Sequence, residues 1–359
     1  MSDHVPAGSA AGPVSADSPP EPSRDLAPPE PSKKRNILSS LGGGGGLGRN
    51  LGLVVALLLI CIVGAITSGD RFLDANNVLT IVRGAAVIGV VSIGATFVIT
   101  AGGIDLSVGS VLGLATVWAT TLATQSMAAD LHWIVMVFTA VAVGAAAGLI
   151  NGVIIAYGKV VSFIATLAML IAARGLAEII SGRRTQLVSD SGFKQFFSGS
   201  VLGVPTIVWI FIVVAALAWL LLNRTTFGRR TVAVGGNAEA ARLAGINVKR
   251  HIVYVFTLCG LTAGIAAVMM MGRTDAGSST NGMLYELDAI AAVVVGGTLL
   301  IGGRGTIIGT VFGVLIFQTL MNIFVLNNLS TSVQSLVKGA IIVLAVILQQ
   351  RFALRAKST

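Results

Sequence analysis

Side chains able to do chemistry are sparse in this chain, and none is arranged for bond-breaking. Asp105 follows Gly102 and Gly103 and precedes Leu106-Ser107-Val108-Gly109. There its carboxylate either caps the next helix and stiffens a break in the chain, or lines a path through the protein. Arg174 and Glu178 stand four apart and read as a structural pair on one helical face. Glu286 and Asp288 open another apolar run, facing either solvent or an entering solute, and Lys338 snorkels or pairs inside the last run. Asn151, Ser162 and Asn281 add neutral hydrogen-bonding groups. No metal-ligand spacing or serine–base pairing accompanies them, and His4, His132 and His251 are dispersed. Gly158-Lys159-Val160 fails the last position of a phosphate loop, so nucleotide hydrolysis is not expected here.

The strongest polar feature is the segment 223–251, NRTTFGRRTVAVGGNAEAARLAGINVKRH, which carries six Lys or Arg residues against the single acid Glu239. Within it Asn237 is a good N-cap, 238–244 is helix-forming, and Gly245 sits where a left-handed residue ends a helix. Glu239 lies in the first turn, where the helix dipole favours its charge. Two turns do not persist alone in water, so the membrane body or a partner must hold this helix. Ala240 and Ala241 would let a partner approach the backbone closely.

The elements that must position these groups are membrane helices. With 54% hydrophobic and 11% charged residues, the chain is no ordinary soluble enzyme. The net charge of +9 is scattered over the ends of apolar runs instead of forming one basic face, so a nucleic-acid partner is not expected. Cys61 and Cys259 lie inside apolar runs and are read as packing residues. Runs of membrane-spanning length cover 51–67, 84–101, 106–124, 133–157, 160–180, 204–222, 252–272 and 306–325. Weaker ones cover 284–301 and 329–348, which gives an all-α integral membrane protein of about ten spans. Alternation then puts 223–251, Lys159, Arg304 and both ends in the cytoplasm, the side that receives most Lys and Arg. Residues 1–49, rich in Pro, Ser, Ala and Gly, are expected to form a disordered cytoplasmic tail and no cleaved signal peptide. Residues 50–350 form the membrane domain and 351–359 a cytoplasmic tail.

Glycines give the helices their detail. Gly144, Gly148 and Gly152 repeat at every fourth position, as do Gly260 and Gly264, and such ridges let helices approach in lipid. Gly102, Gly103, Gly109 and Gly113 recur with the same spacing as Gly302, Gly303, Gly309 and Gly313. That pattern predicts a duplicated hairpin with glycine-interrupted helices.

Glu239-Ala240-Ala241, three residues, then Gly245 resembles the EAA-type coupling motif of ABC importer permeases. TAGGIDLSVGS at 100–110 is similar to a signature of the ribose, xylose, arabinose and galactose branch of sugar ABC permeases. So are FIATL at 163–167, GGN at 235–237, YELDAIAAVV at 285–294 and GGT at 296–298, and the resemblance runs from about 51 to 350. The Pro-rich tail departs from it. The resemblance implies a permease dimer of two copies in the cell membrane, a cytoplasmic ATPase holding ATP and Mg²⁺, and an extracytoplasmic sugar-binding protein. This chain itself would carry no cofactor. It implies ATP-driven import of a monosaccharide by alternating access, with 237–245 as the short coupling helix. A sugar needs only weak polar contacts, so Asp105, Ser107, Asn151, Ser162, Asn281 and Glu286 are the candidate path residues. The rival reading is a secondary transporter or channel, which needs no ATPase and leaves the capped helix without a purpose.

Overall fold

The computed structural model describes residues 46–355, and the tail expected before residue 46 lies outside them. Helix α1 (Gly46–Ser68) already begins within the stretch expected to be tail. A short helix α2 (Asp70–Leu73) turns the chain into α3 (Ala75–Thr100), whose first turn is capped by Asp74 accepting from the amides of Asn76 and Asn77. Next come α4 (Val108–Ala119), α5 (Leu122–Asp130), α6 (Ile134–Gly158) and α7 (Ser162–Ser181). After α8 (Ser191–Ser198), α9 (Thr206–Arg224) leads to the polar segment, which folds as α10 (Thr226–Gly236) and α11 (Ala238–Leu243). The chain closes with α12 (Val248–Thr274), α13 (Tyr285–Val295), α14 (Ile307–Leu326) and α15 (Thr331–Arg355). Two small ribbons lie between helices: β1 (Gln186–Leu187) pairs with β4 (Ala276–Gly277), and β2 (Ser200–Val201) with β3 (Val204–Pro205).

Seven helices among the described residues, α1, α3, α6, α7, α9, α12 and α14, are long and apolar enough to cross a membrane. The chain is therefore a multi-pass membrane protein. Three of the ten runs expected to be spans are not among these seven: 329–348, which falls in α15, and two that hold only half-length helices. The run 106–124 contains only the 12-residue α4, and 284–301 only the 11-residue α13. At 1.5 Å per residue these reach about 18 and 17 Å, little more than half of a hydrocarbon core of about 30 Å. The reason is local. Gly102 (φ +83°), and Gly297, Gly302 and Gly303 (φ +85°, +85° and +77°), take left-handed turns that helical backbone cannot follow. The interrupted backbone is partly covered: Asp105, Ser107, Gly296, Thr298 and Gly302 are buried, while Gly102, Ile301 and Arg304 are exposed.

The core is a set of close helix crossings. The two glycine ridges meet each other: a Cβ on Gly148 would strike the Phe256 carbonyl and lie 3.0 Å from Gly260, and one on Gly264 would lie 2.7 Å from the Ala140 carbonyl and Val141. In lipid, where apolar burial gives little drive, such backbone contact supplies the van der Waals attraction that joins α6 to α12. Helix α3 is buried from Gly84 to Thr100 and is the central post, with α9, α12, α13 and α14 against it.

Candidate functional site

Three glycine pairs from distant parts of the sequence meet at one end of α3. The Gly303 amide donates to the Thr100 carbonyl at 2.9 Å. A Cβ on Gly302 would lie 2.9 Å from Gly102 Cα and 2.7 Å from the Gly235 carbonyl, and one on Gly235 would strike the Thr100 carbonyl. The repeated pairs Gly102-Gly103 and Gly302-Gly303 therefore touch each other and also Gly235-Gly236, which ends α10. No side chain larger than hydrogen fits at Gly235, Gly302 or Gly303, whereas a Cβ on Gly102 or Gly236 would stay 3.7 and 3.9 Å from the facing backbone.

One residue beyond that contact, Asn237 starts α11, its side chain accepting from the amides of Glu239 and Ala240 at 3.0 and 2.9 Å. Gly245, at φ +85°, closes the helix as the Gly245 amide donates to the Arg242 carbonyl and the Ile246 amide to the Ala241 carbonyl. Helix α11 spans 6 residues, against the seven expected. Ala241 is buried against the body, while Glu239, Ala240 and Leu243 face out, Leu243 being 76% exposed. Arg242 donates two hydrogen bonds to Glu239, the shorter 2.6 Å, and holds that carboxyl below the usual glutamate range while its own guanidinium is pushed up. The preceding helix α10 is tied to the membrane body where Thr231 Oγ1 and His251 Nε2 share a hydrogen bond of 2.9 Å and the Phe227 ring packs on His251. Sequence reasoning missed α10 and the exposed Leu243; the spacing of Phe227, Thr231 and Val234, four and three apart on one helical face, was the available signal for the former.

The candidate path residues form two groups. Asp105, Ser107, Asn151 and Ser162 gather around the extended link 104–107. Ser107 donates from its amide and its hydroxyl to Asp105 Oδ1 at 2.8 and 2.6 Å, and accepts from Asn151 Nδ2 at 2.9 Å. The Ile104 amide donates to Ser162 Oγ at 3.2 Å and the Leu106 amide to Thr166 Oγ1. These bonds satisfy a backbone that belongs to neither flanking helix. Asn281 and Glu286 form the second group, on the other side of α4. The chain from Gly277 to Glu286 runs down α4: Cβ atoms on Gly277, Gly113 and Gly109 would meet, in turn, Thr116 and Thr120, then Asn281, Ser279 and Arg174, then Gly282 and Glu286. Gly282 (φ +72°) and Leu284 (φ +65°) then turn the chain into α13.

Glu286 and Asp288 therefore do not sit at a solvated helix start; they are 8% and 6% exposed because the link carries the start of α13 deep along α4. Asp288 is held by Lys338 of α15 at 3.0 and 3.1 Å, and Lys338 also lies over the Phe317 ring. Arg174 does not pair with Glu178, which bonds Arg183 at 2.8 Å. It reaches across instead, donating from Nη1 to the carbonyls of Ser279 and Asn281. The second glycine repeat faces the other end of α13: Cβ atoms on Gly309 and Gly313 would strike the carbonyls of Gly296 and Ala292. The repeat thus clasps α13 at both ends.

Half-length helices packed inside a bundle of spans, with a capped helix hung beneath, are the architecture of a membrane transport subunit. The chain belongs to the ABC importer permeases: the family described as branched-chain amino acid transport system / permease component matches residues 77–346. The ribose import permease protein RbsC of Escherichia coli strain K12 is 41% identical over 303 residues, covering 83% of this chain and 92% of its own. The L-arabinose ABC transporter permease protein AraH of Azospirillum brasilense is 38% identical over 300 residues, covering 83% and 87%. The galactose/methyl galactoside import permease protein MglC of Escherichia coli strain K12 is 36% identical over 311 residues, covering 82% and 92%. No solved structure matches the chain. Members of this family are transport subunits and not enzymes.

Proposed function

We propose that the chain, paired with a second copy, carries a monosaccharide into the cytoplasm by alternating access, driven by a separate ATPase and supplied by an extracytoplasmic sugar-binding protein. ATP and Mg²⁺ belong to the ATPase. Both termini and the segment 223–251 lie in the cytoplasm. The observation that carries this reading is helix α11, capped at both ends, offering Glu239, Ala240 and Leu243 outward one residue from the Gly235-Gly236 contact. A six-residue helix has no reason to persist alone, and an exposed leucine beside an ion pair suits a cleft on a partner. Force applied to α11 reaches Gly235, and through it the links that precede α4 and follow α13.

Sugar uptake into vesicles containing this chain, the ATPase and the binding protein tests the reading. Glu239→Arg or Gly245→Val is expected to leave the protein inserted while ATP-driven uptake falls and copurification with the ATPase weakens. Wild-type uptake and copurification in both variants would end the assignment of α11. Uptake that persists with no ATPase present would replace the importer with a secondary transporter or channel.

A further inference from the structure

Of four buried polar atoms with no hydrogen-bond partner among the described residues, two lie beside α4: Oε2 of Glu286 and Oδ1 of Asn151. Leaving such an atom unmet is costly, more so when it is charged, so each calls for an occupant that can donate. Both flank the first turn of α4: Asn151 through its bond to Ser107, and Glu286 by resting where a Cβ of Gly109 would lie. Glu286 is also in the first turn of α13. The N-terminal ends of two half-helices thus come together around one carboxylate that the rest of the molecule leaves half used.

We infer that Glu286, with the glycine surface of Gly109 beside it, is a subsite that accepts hydrogen bonds from the hydroxyl groups of the transported sugar. This rests on the importer reading above. The chemistry selects a neutral donor over a cation. Arg174 and Asp288 both act electrostatically on Glu286; Asp288 is already paired with Lys338, and Arg174 donates to the carbonyls of Ser279 and Asn281 beside the site. A cation would meet a like charge there, whereas a hydroxyl meets only an acceptor. Position agrees with passage. Ten residues separate Glu286 from Gly296, roughly 15 Å at helical rise, so the subsite lies at the start of α13 and the link leading to the Gly302–Gly235 contact leaves from its far end. One half-helix begins just after Gly102-Gly103 and the other ends just before Gly302-Gly303. Movement of Gly235-Gly236 would therefore shift both walls of the subsite at once and release its occupant.

The test uses the full assembly in proteoliposomes, with D-ribose, L-arabinose and D-galactose as probes, followed by the monodeoxy analogues of whichever sugar the wild type imports. For one analogue the wild type should show a loss on the order of tenfold relative to the parent sugar, the size expected for a hydrogen bond to a charged acceptor. Glu286→Gln should import the parent sugar more slowly and bring that ratio close to one, while ATPase activity stimulated by the loaded binding protein persists. Glu286→Ala, compared by copurification and thermal stability, separates lost recognition from lost folding. The inference fails if the deoxy ratios of wild type and Glu286→Gln coincide at every position, as they would for an oxygen met only by water. It fails equally if import and stimulated ATPase activity fall together. Absence of ATP-driven import of all three sugars by the wild type would instead overturn the functional reading, and the subsite with it.

Discussion

At the scale of single residues, buried charge is the feature that most constrains this chain. Lys338 and Asp288 meet inside the bundle at 3.0 Å, and removing one partner strands the other. Lys338→Met is expected to cost about 3–5 kcal/mol, read as lower thermal stability in detergent or nanodiscs, and the double variant with Asp288→Leu should recover much of it. No recovery would mean that the two charges are not partners. On the exposed side, Glu239 and Arg242 make a pair whose pH dependence has a definite sign. Because the carboxyl is held below its ordinary value, its support of α11 is fully present above the unfolded glutamate pKa and is lost as pH falls through the lowered folded value. Helix order around Glu239, followed by a spin label at Ala240, should therefore loosen only in the acid range, and Glu239→Gln should abolish that dependence.

At the scale of elements, glycine decides where helices stop and how near they come. Gly148→Val would drive a branched side chain into the Phe256 carbonyl and the Gly260 backbone. Overpacking of this kind costs about 1–3 kcal/mol, so the variant should lose stability even where the protein still inserts. Gly235→Ala is a different experiment. Its methyl would strike the Thr100 carbonyl and the Gly303 amide, wedging the contact that joins α10 to the links before α4 and after α13. Overpacking against backbone should cost about 1–3 kcal/mol of stability, and in the protein that still folds, uptake per ATP hydrolysed should fall below the wild-type ratio. Coupled transport at the wild-type ratio would show that force takes another route.

At the scale of the whole molecule, the proposed topology puts the segment 223–251 and the ribbon before α9 on opposite faces of the membrane. Maleimide labelling of single cysteines placed at Ala240 and at Leu202 should mark opposite faces of the membrane, and labelling of both from one side would overturn the topology. Much of this architecture was legible in the amino-acid order. Apolar runs of spanning length, the Asn237 cap, Gly245 and the two glycine ridges are local or periodic signals, and bilayer thickness converts them directly into helices. The spacing shared by Gly102–Gly113 and Gly302–Gly313 marked two links that meet, although the first copy opens the 12-residue α4 and the second the 20-residue α14. Only tertiary structure could decide that the two copies touch each other through Gly235, that the link before Glu286 dives along α4, and that Arg174 abandons Glu178 for the Ser279 and Asn281 carbonyls. The physical reason is that helix formation reads neighbours within a turn or two. Pairing of charges and orphaned acceptors instead depends on which distant backbones approach closely enough to exclude water.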